Sequence, residues 1–214
     1  SNNLDALKKI TSTSREGISV VVAEFAAGEP IGESVQEVKD EGVTKFGVDL
    51  ALPQVGGNAR KTNHDYTHGK LKELIDVIIE EGASLFVSAV GAPPKWVVDK
   101  LHGAGIPVMN MCGAPRHIDK ALEVGCDIMC AQGTEGGGHT GSISTVALLP
   151  QVLDKVKGHK SRLTGEPILV VAAGGIYDGR GLVRACALLL CTAVFGACMY
   201  ASCFFFFLVC VFLI

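Results

Sequence analysis

Charge is sparse in this chain. Lys and Arg number 19 and Asp and Glu 22 among 214 residues, for a net charge of −3. No Lys/Arg run occurs and no aromatics interleave with basic residues, which argues against a nucleic-acid surface. Aromatics make up only 6% of the chain, yet hydrophobic residues make up 48%, enough for a globular core. The sequence opens on Ser1 without a Met or an apolar secretory signal, so truncation is expected. Metal-type spacing is also lacking. His64 and His68 lie four apart, but Asn63, Asp65 and Gly69 place them in a loop with no third ligand, so no metal is expected. His102, His117 and His159 carry no supporting residues.

Cysteine is present but unpatterned. Of eight cysteines, Cys112, Cys126 and Cys130 lie in or beside apolar strand-like segments, where buried free thiols are common. Cys186, Cys191, Cys198, Cys203 and Cys210 fall in the last 29 residues. A reduced protein of the cytoplasm or an organellar matrix is the expectation.

The chain alternates apolar runs of strand length with amphipathic stretches of helical spacing. Strands are expected at 17–23, 45–52, 84–90, 106–110, 126–131 and 168–172. Helices are expected at 31–41, from Leu71 to Gly82, and at 94–102, 115–124, 146–157 and 179–189. Strands that are apolar throughout, each followed by a helix, imply a parallel sheet covered on both faces. With six such units in one domain, the expected architecture is α/β, a (β/α)8 TIM barrel. Eight units and about 250 residues would complete it, so this copy reads as incomplete.

From Ala185 to Ile214 there are 30 residues without a charge. Two readings stay open for this tail: a transmembrane candidate, with Arg184 on the cytosolic side, or an aberrant translation. The expected organisation is a partial barrel over 1–187 and an apolar tail over 188–214. Membrane association is expected only if the tail is genuine.

Two segments carry chemistry. In Ala131-Gln132-Gly133-Thr134-Glu135-Gly136-Gly137-Gly138-His139-Thr140-Gly141, five of eleven residues are glycine. Such a loop lets backbone N–H groups approach an anion or a flat ring. It also presents a Gln, a Glu and a His where barrel active sites lie, after a strand. A flexible surface turn is the plain alternative. In Val170-Val171-Ala172-Ala173-Gly174-Gly175-Ile176-Tyr177-Asp178-Gly179-Arg180 a strand runs into Gly-Gly before a helix. That arrangement suits a bound phosphate, or simply a tight turn.

Together these segments resemble the nitronate monooxygenase (2-nitropropane dioxygenase) family, whose pattern reads approximately A-Q-G-x-E-A-G-G-H-x-G, then A-A-G-G-I-x-D-G-R. The resemblance reaches upstream through Phe46-Gly47-Val48-Asp49-Leu50, residues 54–63 and Ser88-Ala89-Val90-Gly91, and spans about residues 30–190. It implies an FMN-dependent oxidoreductase that oxidises nitronates or nitroalkanes with dioxygen to carbonyl compounds and nitrite. It implies that Gln132 and Gly137 contact FMN, that Gly174 and Gly175 bind its phosphate, and that Asp49 stands where many relatives have Asn beside the flavin. His139 would be the catalytic base, a role suited to an imidazole titrating near neutral pH.

Three departures stand out. Gly136 replaces the family's Ala, the family's first flavin-lining strand has no counterpart before Ser1, and Gly196-Ala197-Cys198-Met199 lacks the hydroxyl and arginine of the family's last phosphate segment. The alternatives are an NAD(P)H-dependent flavin reductase of the enoyl-acyl-carrier-protein or quinone reductase type, and a non-catalytic, membrane-tethered barrel remnant.

Overall fold

The computed structural model describes residues 21–24, 31–40, 42, 44–52, 67, 69–137, 140–190 and 209–212. Two compact units divide at Val108 and Met109. The first holds β1 (Val21–Glu24), α1 (Ile31–Asp40), β2 (Phe46–Ala51), α2 (Leu71–Glu80), β3 (Leu85–Ala89) and α3 (Lys95–Gly103). The second holds β4 (Val108–Cys112, from its second residue on), α4 (Pro115–Val124), β5 (Ile128–Gln132), α5 (Thr145–Val156), β6 (Leu169–Ala173), α6 (Gly179–Leu190) and β7 (Val209–Phe212).

Six strand–helix units are therefore present among the described residues, in the expected order. In the first unit β1 pairs with β2 and β2 with β3, both parallel. In the second, β4 pairs with β5 and β5 with β6, again parallel. The strand interiors are buried, including Val48, Phe86, Val108, Met129 and Val171, as strands covered on both faces require.

Helix ends are written locally. α4 starts with extended Ala114 and Pro115, whose missing N–H costs nothing in a first turn. It ends at Gly125, whose φ of 99° turns the chain back so that its N–H meets the carbonyls of Ala121 and Leu122. Ile118, Ala121 and Val124 form its buried stripe. α5 buries Leu148, Leu149, Val152, Leu153 and Val156 at helical spacing, each worth about 1.5–3 kcal/mol.

Two strands, β4 and β5, begin two residues later than their apolar runs suggest, and the reason is the same. The N–H of Ile106 closes α3 on Leu101 and Pro107 has none to give, so β4 starts at Val108 rather than at 106. The N–H of Cys126 closes α4 on Ala121, so β5 starts at Ile128 and Cys126 lies outside the ladder. Helix termination takes the donors that sheet pairing would have used.

The second departure is in the tail. β7 pairs antiparallel with β6, where a barrel of repeated units would bring a parallel strand. β6 has an open edge there, and an apolar, β-prone Val-Cys-Val-Phe segment fills it. α6 runs through residue 187 to Leu190, so the expected boundary falls inside a helix. Among the described residues, no helix is long and apolar enough to cross a membrane.

The connection from α5 to β6 is anchored at the amino end of β5. Buried Ser161 donates its hydroxyl to Asp127 Oδ1 at 2.5 Å and accepts the N–H groups of Leu163 and Thr164 at 3.1 Å. Ser161→Ala removes the hydroxyl from a buried carboxylate and two turn amides, at an expected cost of about 1–3 kcal/mol. Urea unfolding should show a lower midpoint with an unchanged m-value. An unshifted midpoint would mean that the connection is held elsewhere.

Candidate active site

β5 and β6 end level. Gln132 closes one strand opposite Ala173, which closes the other, and the N–H of Gly133 extends the ladder to the carbonyl of Ala173 at 3.2 Å. The two glycine-rich segments therefore leave neighbouring strands side by side. The first coils at once, with Gly136 N–H on Gly133 O at 3.1 Å and Thr134 N–H on Ile143 O at 3.0 Å. Gln132 is buried beneath this coil and donates its amide to Gly137 O at 3.3 Å. A Cβ on residue 136 would stand 2.7 Å from Gln132 Nε2, so Gly136, in place of the family's Ala, leaves the amide room where it lies.

The Gly174-Gly175 turn backs directly onto this coil. Both residues have positive φ, 92° and 73°, where side chains are strained. A Cβ on Gly174 would stand 2.8 Å from Gly136 N. Gln132, Gly137, Gly174 and Gly175 are thus brought together at the carboxyl ends of two adjacent strands. Asp49 is half-buried on β2 of the first unit, in register with Val87. His139 and Gly138 lie outside the described residues, as do His64 and His68.

What binds the coil to the turn is a pair the sequence reading left without roles. Thr145 opens α5, and the residue before it, Ser144, makes no side-chain cap. Glu135, ten positions upstream, caps instead: Oε2 accepts Thr145 N–H at 2.9 Å. Thr145 Oγ1 stands 3.1 Å from Glu135 Oε2, 3.1 Å from Ala173 O and 2.9 Å from Gly174 O. The legible signal was a carboxylate inside a glycine loop that leads into Ser-Thr and an apolar helix.

Burial pushes the Glu135 carboxyl upward. Hydrogen bonds from the Thr145 amide, its own amide and the hydroxyls of Thr145 and Thr134 outweigh that and hold it below the ordinary carboxylate range. α6 is capped similarly: Asp178 Oδ1 accepts the N–H groups of Arg180 and Gly181 at 3.0 Å. With both helix starts met by the chain's own carboxylates, an external anion is left the amides of the glycine turn. Beside that turn, Glu135, Thr145, Gly174, Gly175, Ile176 and Arg184 line a cleft of about 120 Å³, smaller than the roughly 300–1,000 Å³ of a whole-ligand pocket. The buried thiols take no part: burial pushes Cys126 up to about 12 and Cys112 well above its usual value, and neither is a ready nucleophile.

Repeated βα units with glycine-rich turns at the carboxyl ends of the strands are the architecture of (β/α)8-barrel proteins. The solved structure of FabK from Thermotoga maritima, a barrel, matches 74% of this chain and 43% of its own with a TM-score of 0.58 and 26% identity. The chain belongs to the nitronate monooxygenase family, whose sequence pattern matches residues 26–197. It is similar to the (3aS,4S,5R,7aS)-5-hydroxy-7a-methyl-1-oxo-octahydro-1H-indene-4-carboxyl-CoA dehydrogenase of Mycobacterium tuberculosis, at 33% identity over 183 residues, 86% of this chain and 44% of the relative. It is also similar to a probable nitronate monooxygenase of Staphylococcus haemolyticus, at 26% identity over 81% of this chain and 55% of the relative. The chain thus spans about half the length of these relatives.

The depressed Glu135 pKa sets a pH dependence. The folded value lies below the unfolded one, so the charged cap stabilises above the ordinary glutamate range, near about 4.3. That contribution is lost as pH falls through the folded value. Wild type should therefore melt above Glu135→Gln at pH 7, with the gap closing toward pH 3. A gap independent of pH would show that the charge contributes nothing.

Proposed function

We propose that this chain forms part of a flavin-dependent oxidoreductase that binds FMN at the Gly133–Gly137 coil and the Gly174–Gly175 turn and acts on nitronates or nitroalkanes. The observation that carries this reading is the seat itself: two backbone segments at the ends of β5 and β6, with positive φ at Gly174 and Gly175 and no space for a Cβ beside Gly136. Backbone amides in such a turn approach a phosphate without side-chain interference. Gln132 supplies a buried amide beneath the coil, and Asp49 belongs with it by resemblance. Bound there, FMN would supply the two-electron chemistry, with dioxygen as the acceptor.

His139 is proposed as the base, removing the proton from the carbon that bears the nitro group. The carboxyl-CoA dehydrogenase named above favours a second reading, oxidation of an acyl-CoA ester at the same seat. Parallel assays with a nitronate, an acyl-CoA ester and NADH separate these and the reductase alternative. Nitronate turnover with nitrite release supports the first.

Two substitutions test the assignment. Gly174→Val forces a β-branched residue into the left-handed region, with strain of about 1–3 kcal/mol, and its side chain meets Gly136. It should retain much less flavin, as measured by the flavin-to-protein absorbance ratio. Unchanged retention would remove the turn from the phosphate site. His139→Ala should slow oxidation of neutral nitroalkanes by about 10²–10⁴-fold, the scale of general-base catalysis. Preformed nitronates, which have already lost that proton, should be affected much less. Equal losses would make His139 a binding residue rather than a base.

A further inference from the structure

We propose that Thr145 and Glu135 are positioning residues that clamp the glycine coil after β5 onto the Gly174–Gly175 turn and so set the spacing of the phosphate seat. The proposal rests on the flavin reading above for its consequence, but the clamp itself stands on geometry. A hydroxyl has one proton, and Thr145 Oγ1 has three oxygens within 3.1 Å. Two of them also accept backbone donors: Ala173 O receives the N–H of Gly133 at 3.2 Å, and Glu135 Oε2 receives the N–H of Thr145 at 2.9 Å. Gly174 O is the nearest of the three, at 2.9 Å, and the one proton is shared within a cluster that ties Glu135 to the carbonyls at the end of β6. The side chain that opens α5 therefore fixes the peptide following Gly174, the one whose N–H belongs to Gly175.

The second jaw is the carboxylate. Glu135 leaves the coil to hold the start of α5, and a Cβ on Gly175 would stand 2.9 Å from Glu135 Cβ. The turn is thereby wedged between Glu135 and Thr145. A Cβ on Gly133 would stand 2.5 Å from Glu135 Oε2, so the clamp closes only over glycine. Coil, helix start and turn move as one body or not at all.

The test uses the purified protein with FMN as the probe, following quenching of flavin fluorescence as flavin is added back after its removal. Thr145→Val keeps the shape and removes the proton. It should weaken FMN binding about tenfold, the factor expected from losing a hydrogen bond to a carbonyl at the seat. Thr145→Ser restores the hydroxyl and should stay within about twofold of wild type. Ser161→Ala, destabilised at the amino end of β5, is the control for stability alone and should leave FMN affinity within about twofold. Equal weakening in Thr145→Val and Ser161→Ala, or none in Thr145→Val, overturns the clamp. Should Thr145→Val not fold, Glu135→Gln replaces it, with an expected loss of about threefold, and an unchanged affinity overturns the proposal. If the wild type takes up no FMN, the flavin reading falls and hydrogen exchange decides the clamp. Amides 134–137 and 174–176 should both exchange faster in Thr145→Val and not in Ser161→Ala, and acceleration of one segment alone, or of neither, overturns it.

Discussion

The site depends on one close approach of backbone to backbone. The first turn of α5 lies so near Gly133 that a Cβ there would overlap the backbone nitrogen and hydroxyl of Thr145, and the Gly174 turn presses on Gly136 from the other side. Glycine is the residue that permits both approaches, at an entropic cost that the converging hydrogen bonds of Thr145 and Glu135 offset. Because β5 and β6 end level, with Gln132 opposite Ala173, this packing falls at the strand ends, where barrel chemistry is assembled.

Helix capping shapes the electrostatics of the same region. Both helices that start here are met by acidic side chains of the chain itself, Glu135 for α5 and Asp178 for α6. The charges lie where helix dipoles favour them, and they leave the amides of the glycine turn as the place for an external anion. On the proposed reading, phosphate recognition at this seat would be a matter of backbone spacing more than of side-chain charge, which makes whatever holds the spacing important.

The relatives' names divide between nitronate oxidation and dehydrogenation of a carboxyl-CoA ester. A shared cofactor seat with divergent substrates is what a barrel allows, since different loops carry the two tasks on one scaffold.

The sequence by itself determined the α/β class, the order of six strand–helix units and the grouping of Gln132, Gly137, Gly174 and Gly175. Each follows from local rules: apolar runs of strand length, helical periodicity and glycine punctuation. Strand starts were less legible, because the N–H of Ile106 and of Cys126 is claimed by a preceding helix end. No apolar pattern records that competition. Antiparallel β7 was likewise not legible, since an apolar segment fills an open edge in either direction. Only the tertiary structure decided that Glu135 caps a helix ten residues away in place of Ser144, and that the Thr145 hydroxyl sits among Glu135 Oε2, Ala173 O and Gly174 O. Both are contacts between segments distant in sequence, and their geometry exists only once the strands have set the loops side by side.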